Sequence, residues 1–301
     1  QGLDDPALAV RSEWIDYFNL LKPRVMALVV FSGLIGMSVA PGEIHLVTGF
    51  IAIISIALGA GAAGAINMWY ESDIDKIMTR TKKRPIPSGK VVKEEALSLG
   101  IIIGGASLIT MGLLVNLISA FILLFTILFY VFVYTIFLKK RTPQNIVIGG
   151  ASGSLPPVIG WAAVTGSIDF FPMLIFAIIF FWTPPHFWAL SIYNYKDYEK
   201  AGIPMLPVVS GLFKTKIYIF AYTLILIPIS LLPWFFDFLG NVYLVSALLL
   251  GLVFLLKSFR VLVINSEDTN EVEKYSKKLF NFSIVYLFLL LLCIYFDFNI
   301  V

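Results

Sequence analysis

The sequence predicts an all-helical integral membrane protein with nine transmembrane helices around a central cavity. Of its 301 residues, 59% are hydrophobic, compared with roughly 45–50% in soluble domains. Charged residues make up 14%, about half of the usual share of roughly 25%. A soluble globule could not bury this much apolar surface. The composition therefore excludes a disordered chain, a disulfide scaffold and a nucleic-acid-binding protein, so no nucleic-acid partner is expected.

Nine apolar runs are each long enough to cross the lipid hydrocarbon, which needs about 20 residues. They lie at about 24–41, 46–68, 96–115, 117–138, 146–164, 170–193, 215–235, 239–259 and 279–298. Each must be a helix, because lipid offers no partner to backbone groups and the runs lack the alternation of barrel strands. The fifth run contains four glycines and the pair Pro156-Pro157. This composition predicts a kinked helix packed closely against its neighbours.

The positive charges are confined to one side of the predicted membrane. All 22 Lys and Arg side chains lie at the start of the first run or after runs two, four, six and eight. The positive-inside rule therefore predicts that this basic face is cytoplasmic and that the amino terminus lies on the same side. We expect a single membrane domain over residues 1–301, with a cytoplasmic segment at 1–20 and catalytic loops at 70–95 and 194–214. Residues before Trp14 do not resemble a signal or transit peptide, which favours the inner membrane of a bacterium.

The connection after the second run carries three oxygen donors at four-residue spacing: Asn67, Glu71 and Asp75. In a helix each step of four residues drifts by only about 40°, so the three side chains share one face. Asp73 is two residues from each acid and points elsewhere. Hard oxygen donors of this kind suit Mg²⁺. The sequence therefore predicts a magnesium site at the end of this helix, formed by these three residues.

Arg80 and Arg84 follow the acids, as a magnesium diphosphate would require, because carboxylates can hold the metal while guanidinium groups neutralise the phosphate oxygens. The connection after run four adds Lys139 and Lys140 on the same membrane face, with Tyr134 in the preceding run, and Arg24 opens the first run. These residues are the other candidates for diphosphate binding. The alternative is an ordinary solvated basic loop and a helix end whose dipole favours cations.

A second polar cluster follows run six and contains Asn194 and Asp197. Runs two and six are four helices apart, which suggests an internal repeat with two facing clusters that could hold two metal ions around one diphosphate. Asp197, with Asn194, is the predicted ligand here; an ordinary loop is the alternative. His186 lies within an apolar run, where an ionisable side chain is a functional candidate. It could equally be a histidine bonded to a neighbouring helix.

These motifs resemble the UbiA superfamily of intramembrane prenyltransferases. The family's signature of an asparagine, two acids, two arginines and a proline is matched by Asn67, Glu71, Asp75, Arg80, Arg84 and Pro85, with Glu71 where an aspartate is usual. The segments 22–25, 67–70, 84–87, 134–140, 142–150, 156–161, 185–190, 196–198 and 201–207 resemble the branch of the superfamily that acts on heme. The resemblance is specific from residue 20 to about 209.

The resemblance implies Mg²⁺-dependent transfer of a farnesyl group from farnesyl diphosphate to the vinyl group of heme B. It implies catalytic roles for Asn67, Glu71, Asp75 and Asp197 and a heme contact for His186. Heme A synthase or oxidase-assembly proteins are further partners that it suggests. A relative acting on an aromatic quinone precursor is the alternative enzyme. A transporter fits less well, because its ionisable groups should lie near the bilayer midplane rather than at one face.

Overall fold

The computed structural model describes residues 12–300, so the expectations for residues 1–11 concern a part of the chain outside the described range. Within that range all regular structure is helical. The helices are α1 (Trp14–Leu20), α2 (Pro23–Ser38), α3 (Leu46–Ile77), α4 (Lys93–Leu114), α5 (Leu117–Leu128), α6 (Asn145–Ser154), α7 (Pro156–Thr165), α8 (Phe170–Tyr193), α9 (Tyr195–Lys200), α10 (Leu206–Phe235), α11 (Asn241–Val263) and α12 (Thr269–Phe298). A π-helical segment, Phe129–Leu138, continues α5.

The predicted membrane spans are present in the structure. Within residues 12–300, eight helical stretches are long and apolar enough to cross a bilayer, and a ninth is formed if α1 and α2, which meet at 54°, count as one span. Large apolar side chains are exposed along these helices, among them Leu113, Phe121 and Leu249. Exposure of so much apolar surface to water would be unfavourable, whereas lipid chains can cover it. The fold is therefore that of an all-helical, multi-pass membrane protein.

The fifth run is broken, as its glycines and prolines predict. α6 ends at Ser154 and α7 begins at Pro156, where a proline can occupy the first helical turn without losing a hydrogen bond. α7 packs against α2 at very short range. A Cβ placed on Gly160 would lie 2.0 Å from the carbonyl oxygen of Gly33, so only glycine allows the two backbones this close.

The two loops predicted at 70–95 and 194–214 contain fewer non-helical residues in the structure than the sequence predicts. α3 continues beyond the membrane run to Ile77 and α4 begins at Lys93, which leaves 78–92 as the connection instead of 70–95. The connection 194–214 is largely helical, because it contains α9 and the start of α10. Gly211 interrupts α10 with a φ of 80°, a left-handed conformation that glycine adopts without strain. The membrane-crossing part of α10 therefore begins after this break, near the predicted position 215.

Candidate diphosphate and metal site

The end of α3 presents Asn67, Glu71 and Asp75 on its buried face. Their exposed fractions are 2%, 4% and 2%, whereas the side chain of Asp73 is 77% exposed. The arrangement follows from helix geometry, since residues four apart lie one above the other. An unpaired carboxylate at such burial would be very costly, so each acid needs a partner. The structure supplies one cation for each of the three side chains.

Three cations meet this row of donors. The Nζ of Lys139 lies 2.6 Å from the carboxylate of Glu71, and a guanidinium nitrogen of Arg84 lies 2.7 Å from Asp75. The Nζ of Lys22 donates to the amide oxygen of Asn67 at 2.6 Å. Two carboxylates therefore face two cations and Lys22, whose pKa is lowered to about 7 by burial and by the neighbouring charges of Arg84 and Lys139. A partly protonated Lys22 leaves a small excess of positive charge, which attracts an anion.

Each cation comes from a different element. Lys22 occupies the kink between α1 and α2 and adopts a left-handed conformation with φ 53°, which turns its side chain towards α3. Arg84 belongs to the 78–92 connection. That connection is attached to α3 by the hydroxyl of Thr81, which donates to the carbonyl oxygen of Asp75 at 3.0 Å. The site is thus assembled from α3 and three other parts of the chain, and their packing sets its shape.

The π-helical segment positions the third cation. Its wider turn is seen in the bond from the backbone N–H of Lys139 to the carbonyl oxygen of Tyr134, five residues earlier. The same segment brings the hydroxyl of Thr135 to 3.1 Å from the amide nitrogen of Asn67. This contact fixes the amide so that its oxygen faces Lys22. Burial opposes the charged form of Lys139, but the adjacent carboxylate of Glu71 raises the pKa of Lys139 above its ordinary value. Isolated π-helical turns are frequent at functional sites.

The second polar cluster lies against the first connection, through Asp197. Its carboxylate accepts a hydrogen bond from the backbone N–H of Arg80 at 3.2 Å. Burial alone would raise the pKa of Asp197, but hydrogen bonds from Thr79 and Arg80 lower it, so the group is ionised at neutral pH. The side chain of Asn194 donates to the carbonyl oxygen of Leu190 at 3.0 Å and closes the end of α8. Its amide oxygen is the atom that a metal could use.

The donor set fits a hard cation bound together with an anion better than it fits a bare metal ion. Across residues 12–300 no group of three or more His, Cys, Asp and Glu side chains is close enough to hold a metal. The donors of α3 are instead two carboxylates and an amide, each bonded to a cation. Mg²⁺ is usually held by one or two carboxylates together with substrate phosphates and water. This chemistry matches the row formed by Asn67, Glu71 and Asp75.

The remaining diphosphate candidates differ in position. The ring of Tyr134 occupies the space left by Gly149, where a Cβ would lie 2.2 Å from the ring. Lys140 points to the other side, with its Nζ 4.7 Å from the centroid of Tyr70. Arg24 is exposed on the first turn of α2. Sequence reasoning gave Arg24 preference over Lys22, whereas the structure places Lys22 beside the row of Asn67, Glu71 and Asp75.

His186 lies in the interior of α8 and is 7% exposed. Its ring is stacked on Trp182 with centroids 4.2 Å apart and lies 4.7 Å from Phe280. Its Nδ1 is 2.6 Å from the hydroxyl of Ser283, which itself donates to the carbonyl oxygen of Phe280 at 2.6 Å. With the hydroxyl proton of Ser283 directed at that carbonyl, Nδ1 is the donor of the pair and Nε2 keeps its lone pair. A free imidazole lone pair can bind a metal or accept a hydrogen bond.

Comparison with known proteins identifies the class of protein that this fold and site define. The model of the UbiA prenyltransferase family matches residues 29–295, and the chain belongs to this family. Several relatives are named protoheme IX farnesyltransferase. One from Granulibacter bethesdensis is 52% identical over 97% of this chain and 92% of the relative. Another, from Parvibaculum lavamentivorans, is 54% identical over 91% of this chain and 86% of the relative.

Solved structures share the fold at low sequence identity. A digeranylgeranylglyceryl phosphate synthase matches with a TM-score of 0.75 and 20% identity, covering 95% of this chain and 99% of that one. A UbiA homolog from Archaeoglobus fulgidus, solved with DMAPP and Mg²⁺, matches with a TM-score of 0.62 and 16% identity, covering 90% and 99%. The protein is therefore an integral membrane enzyme with the UbiA fold, a transferase of prenyl groups.

Proposed function

We propose that this protein transfers the farnesyl group of farnesyl diphosphate to a vinyl group of heme B, giving heme O and diphosphate. The observation that carries this proposal is the buried row of Asn67, Glu71 and Asp75 facing an excess of cations, in a chain more than half identical to relatives named protoheme IX farnesyltransferase. The row accounts for the diphosphate half of the reaction. The acceptor, heme B, is inferred from the name of the relatives.

We propose that Asn67, Glu71 and Asp75 hold one Mg²⁺ and that Asp197, with the amide oxygen of Asn194, holds a second. When bound, Mg²⁺ supplies positive charge to the diphosphate oxygens as the allylic C–O bond breaks. The chain already holds Lys139 on Glu71, Arg84 on Asp75 and Lys22 on the amide oxygen of Asn67. Diphosphate oxygens can take over these three groups, because a bound metal would replace them as partners of the row's oxygens.

The cations stabilise the leaving group. When the C–O bond ionises, its electron pair leaves with the diphosphate, and negative charge grows on the oxygens that Arg80, Arg84 and Lys139 can reach. Tyr134 completes the proposed diphosphate site, with Lys22 in place of Arg24, whereas Lys140, whose ammonium lies on the ring of Tyr70, is not part of it. The vinyl carbon then forms a bond to the first carbon of the farnesyl group. Water adds its oxygen to the resulting cation and releases a proton, which balances the reaction.

His186 is the residue that we propose contacts the heme. Its Nε2 lone pair is the free end of an imidazole whose other nitrogen is bonded to Ser283, the arrangement usual for histidines that bind metals. Heme titration of a His186→Ala protein, followed by the Soret absorbance, tests this role. We expect weaker binding and a shifted Soret band. Unchanged affinity and spectrum would contradict the proposed contact.

Product analysis tests the overall proposal. Purified protein is incubated with Mg²⁺, heme B and prenyl diphosphates of several chain lengths, and the porphyrin products are identified by mass spectrometry. The expected product is heme carrying one farnesyl group and one added hydroxyl. A parallel incubation with an aromatic quinone precursor in place of heme tests the alternative acceptor. Prenylation of the aromatic acid but not of heme would overturn the assignment.

We further propose that the basic face is the cytoplasmic side of the inner membrane, which places the diphosphate site on that side. All Lys and Arg side chains of the sequence flank this face, as the positive-inside rule requires. A protein with Cys293→Ser and Lys82→Cys tests the orientation in sealed inverted vesicles. Labelling of the new cysteine by a membrane-impermeant maleimide is expected there and not in intact spheroplasts. The reverse pattern would exclude this orientation.

A further inference from the structure

A cavity of about 340 Å³ lies between α11 and α12 at their basic ends. None of its lining residues belongs to the diphosphate site. Lys257 and Arg260 come from the last two turns of α11, and Tyr275 and Lys278 come from the first turns of α12. Val253 and Leu256 complete the lining on the side towards the membrane. The cavity is therefore basic at one end and apolar at the other.

The cations converge on aromatic rings. The guanidinium carbon of Arg260 lies 5.1 Å from the centroid of Tyr275, and the Nζ of Lys278 lies 5.0 Å from the same ring. The Nζ of Lys257 lies 5.3 Å from the centroid of Phe282. Cation–π contacts of this kind hold the side chains in place. They leave the hydrogen-bond donors of the three cations available to a ligand.

This group of cations has no carboxylate partner in the described part of the chain. The ion pairs found between residues 12 and 300 involve other Lys and Arg side chains. The sequence of α11, Asn241–Val263, contains no Asp or Glu. Three like charges around one cavity repel one another, and an anion placed between them would remove that cost. The cavity therefore favours an anionic ligand.

Two apolar strips lead from the cations towards the membrane interior. On α11, Leu256, Val253 and Leu249 follow Arg260 at helical spacing, with exposed fractions of 59%, 39% and 60%. On α12, Val285 and Leu289 continue the face of Lys278, with exposed fractions of 48% and 38%. Residues spaced in this way lie along one side of a helix. The seam, by which we mean the cavity and the two apolar strips, thus has three cations at one end and apolar surface along the rest of its length.

We propose that this seam binds an anionic phospholipid, with its phosphate on Lys257, Arg260 and Lys278 and its acyl chains along the apolar strips. Basic pockets between transmembrane helices on the cytoplasmic side are suited to anionic lipid headgroups. The long stems of Lys and Arg cover apolar surface while their charges reach the interface. A lipid bound here joins α11 to α12, and α12 carries Ser283, the partner of His186.

Native mass spectrometry of the full-length protein in detergent, with phosphatidylglycerol or phosphatidylcholine added, tests the proposal. The test variant is Arg260→Gln/Lys278→Gln, and the control is Lys214→Gln/Lys277→Gln. The control removes two exposed cations from the same membrane face, neither of which lines the cavity. We expect one phosphatidylglycerol to be retained by the native protein and by the control. Each cation removed should weaken this binding about fivefold, or about 25-fold for the pair.

Farnesyl transfer in neutral detergent should be unchanged in both variants, which confirms that they fold. Equal retention of phosphatidylglycerol by the two variants, or equal retention of phosphatidylcholine and phosphatidylglycerol by the native protein, would overturn the proposal. So would displacement of the lipid by inorganic phosphate alone, because the ligand would then be a free anion. Loss of heme affinity in the test variant with unchanged lipid binding would assign the cavity to the heme carboxylates instead.

Discussion

The Nζ of Lys139 lies 2.6 Å from the carboxylate of Glu71, and both side chains are largely buried. The pair joins the π-helical segment to the end of α3. Neither group can be removed alone without leaving a buried charge unpaired. The same lysine is one of the cations that we propose neutralise the leaving diphosphate. The contact therefore has two separable consequences, one for stability and one for catalysis.

Replacing Lys139 by Gln should lower both the stability and the activity. Loss of one partner of a buried pair typically costs about 3–5 kcal/mol. The double variant Lys139→Gln/Glu71→Gln should recover most of this stability, because no buried charge is left unpaired, but it should recover no activity. Thermal unfolding and farnesyl transfer measured on both variants test this. Recovery of activity along with stability would mean that the pair is only structural.

The charge of Asp75 should be needed for turnover. In an Asp75→Asn protein the carboxylate that we assign to Mg²⁺ becomes an amide, and we expect turnover to fall by on the order of 100-fold or more. Asp73→Asn is the matched control, because that side chain is 77% exposed and lies off the buried face. Its activity should be near normal. Turnover is compared per amount of folded protein, because Asp75→Asn also breaks the buried pair with Arg84. Near-normal turnover of Asp75→Asn would exclude the proposed metal site.

Much of the candidate site could be predicted because it depends on local geometry. A four-residue spacing places Asn67, Glu71 and Asp75 on one helix face whatever the surroundings. The spans could be predicted for a similar reason, since each depends on the apolar length of one segment. The break before Pro156 is likewise local, because the proline ring prevents a regular helix from continuing. These features need no knowledge of the tertiary fold.

The partners of these residues could not be predicted, because they depend on contacts between distant segments. Nothing in the sequence near Lys22 shows that a left-handed residue turns it towards Asn67, 45 positions away. The bond between His186 and Ser283 spans 97 positions. Helical structure within the predicted loop 194–214 was missed because α9 is short and polar and because Gly211 interrupts the first turns of α10. Tertiary packing decides all three.

Close packing between α7 and α2 should make Gly160 intolerant of any side chain. The carbonyl oxygen of Gly33 would lie 2.0 Å from an added Cβ, so Gly160→Ala must push two backbones apart, at a cost of about 1–3 kcal/mol or more. Gly153→Ala is the control, because an added Cβ there meets no atom within 4 Å. This control should be neutral or slightly stabilising, since alanine favours the helix. Equal unfolding temperatures for the two variants would contradict the observed packing.

Lys22 should matter more to the reaction than Arg24, although both lie in one short basic motif. The ammonium of Lys22 donates to Asn67 at 2.6 Å, beside the proposed metal site, whereas Arg24 is exposed on α2. Hydrogen bonds to a charged group contribute about 1.5–3 kcal/mol, so Lys22→Gln should lower kcat/KM for farnesyl diphosphate by about 10-fold or more. Arg24→Gln should stay within about twofold of the native enzyme, because a solvated cation contributes little. Steady-state kinetics at saturating heme separate the two, and an equal loss in both variants would show that the motif acts through its overall charge rather than through the buried contact.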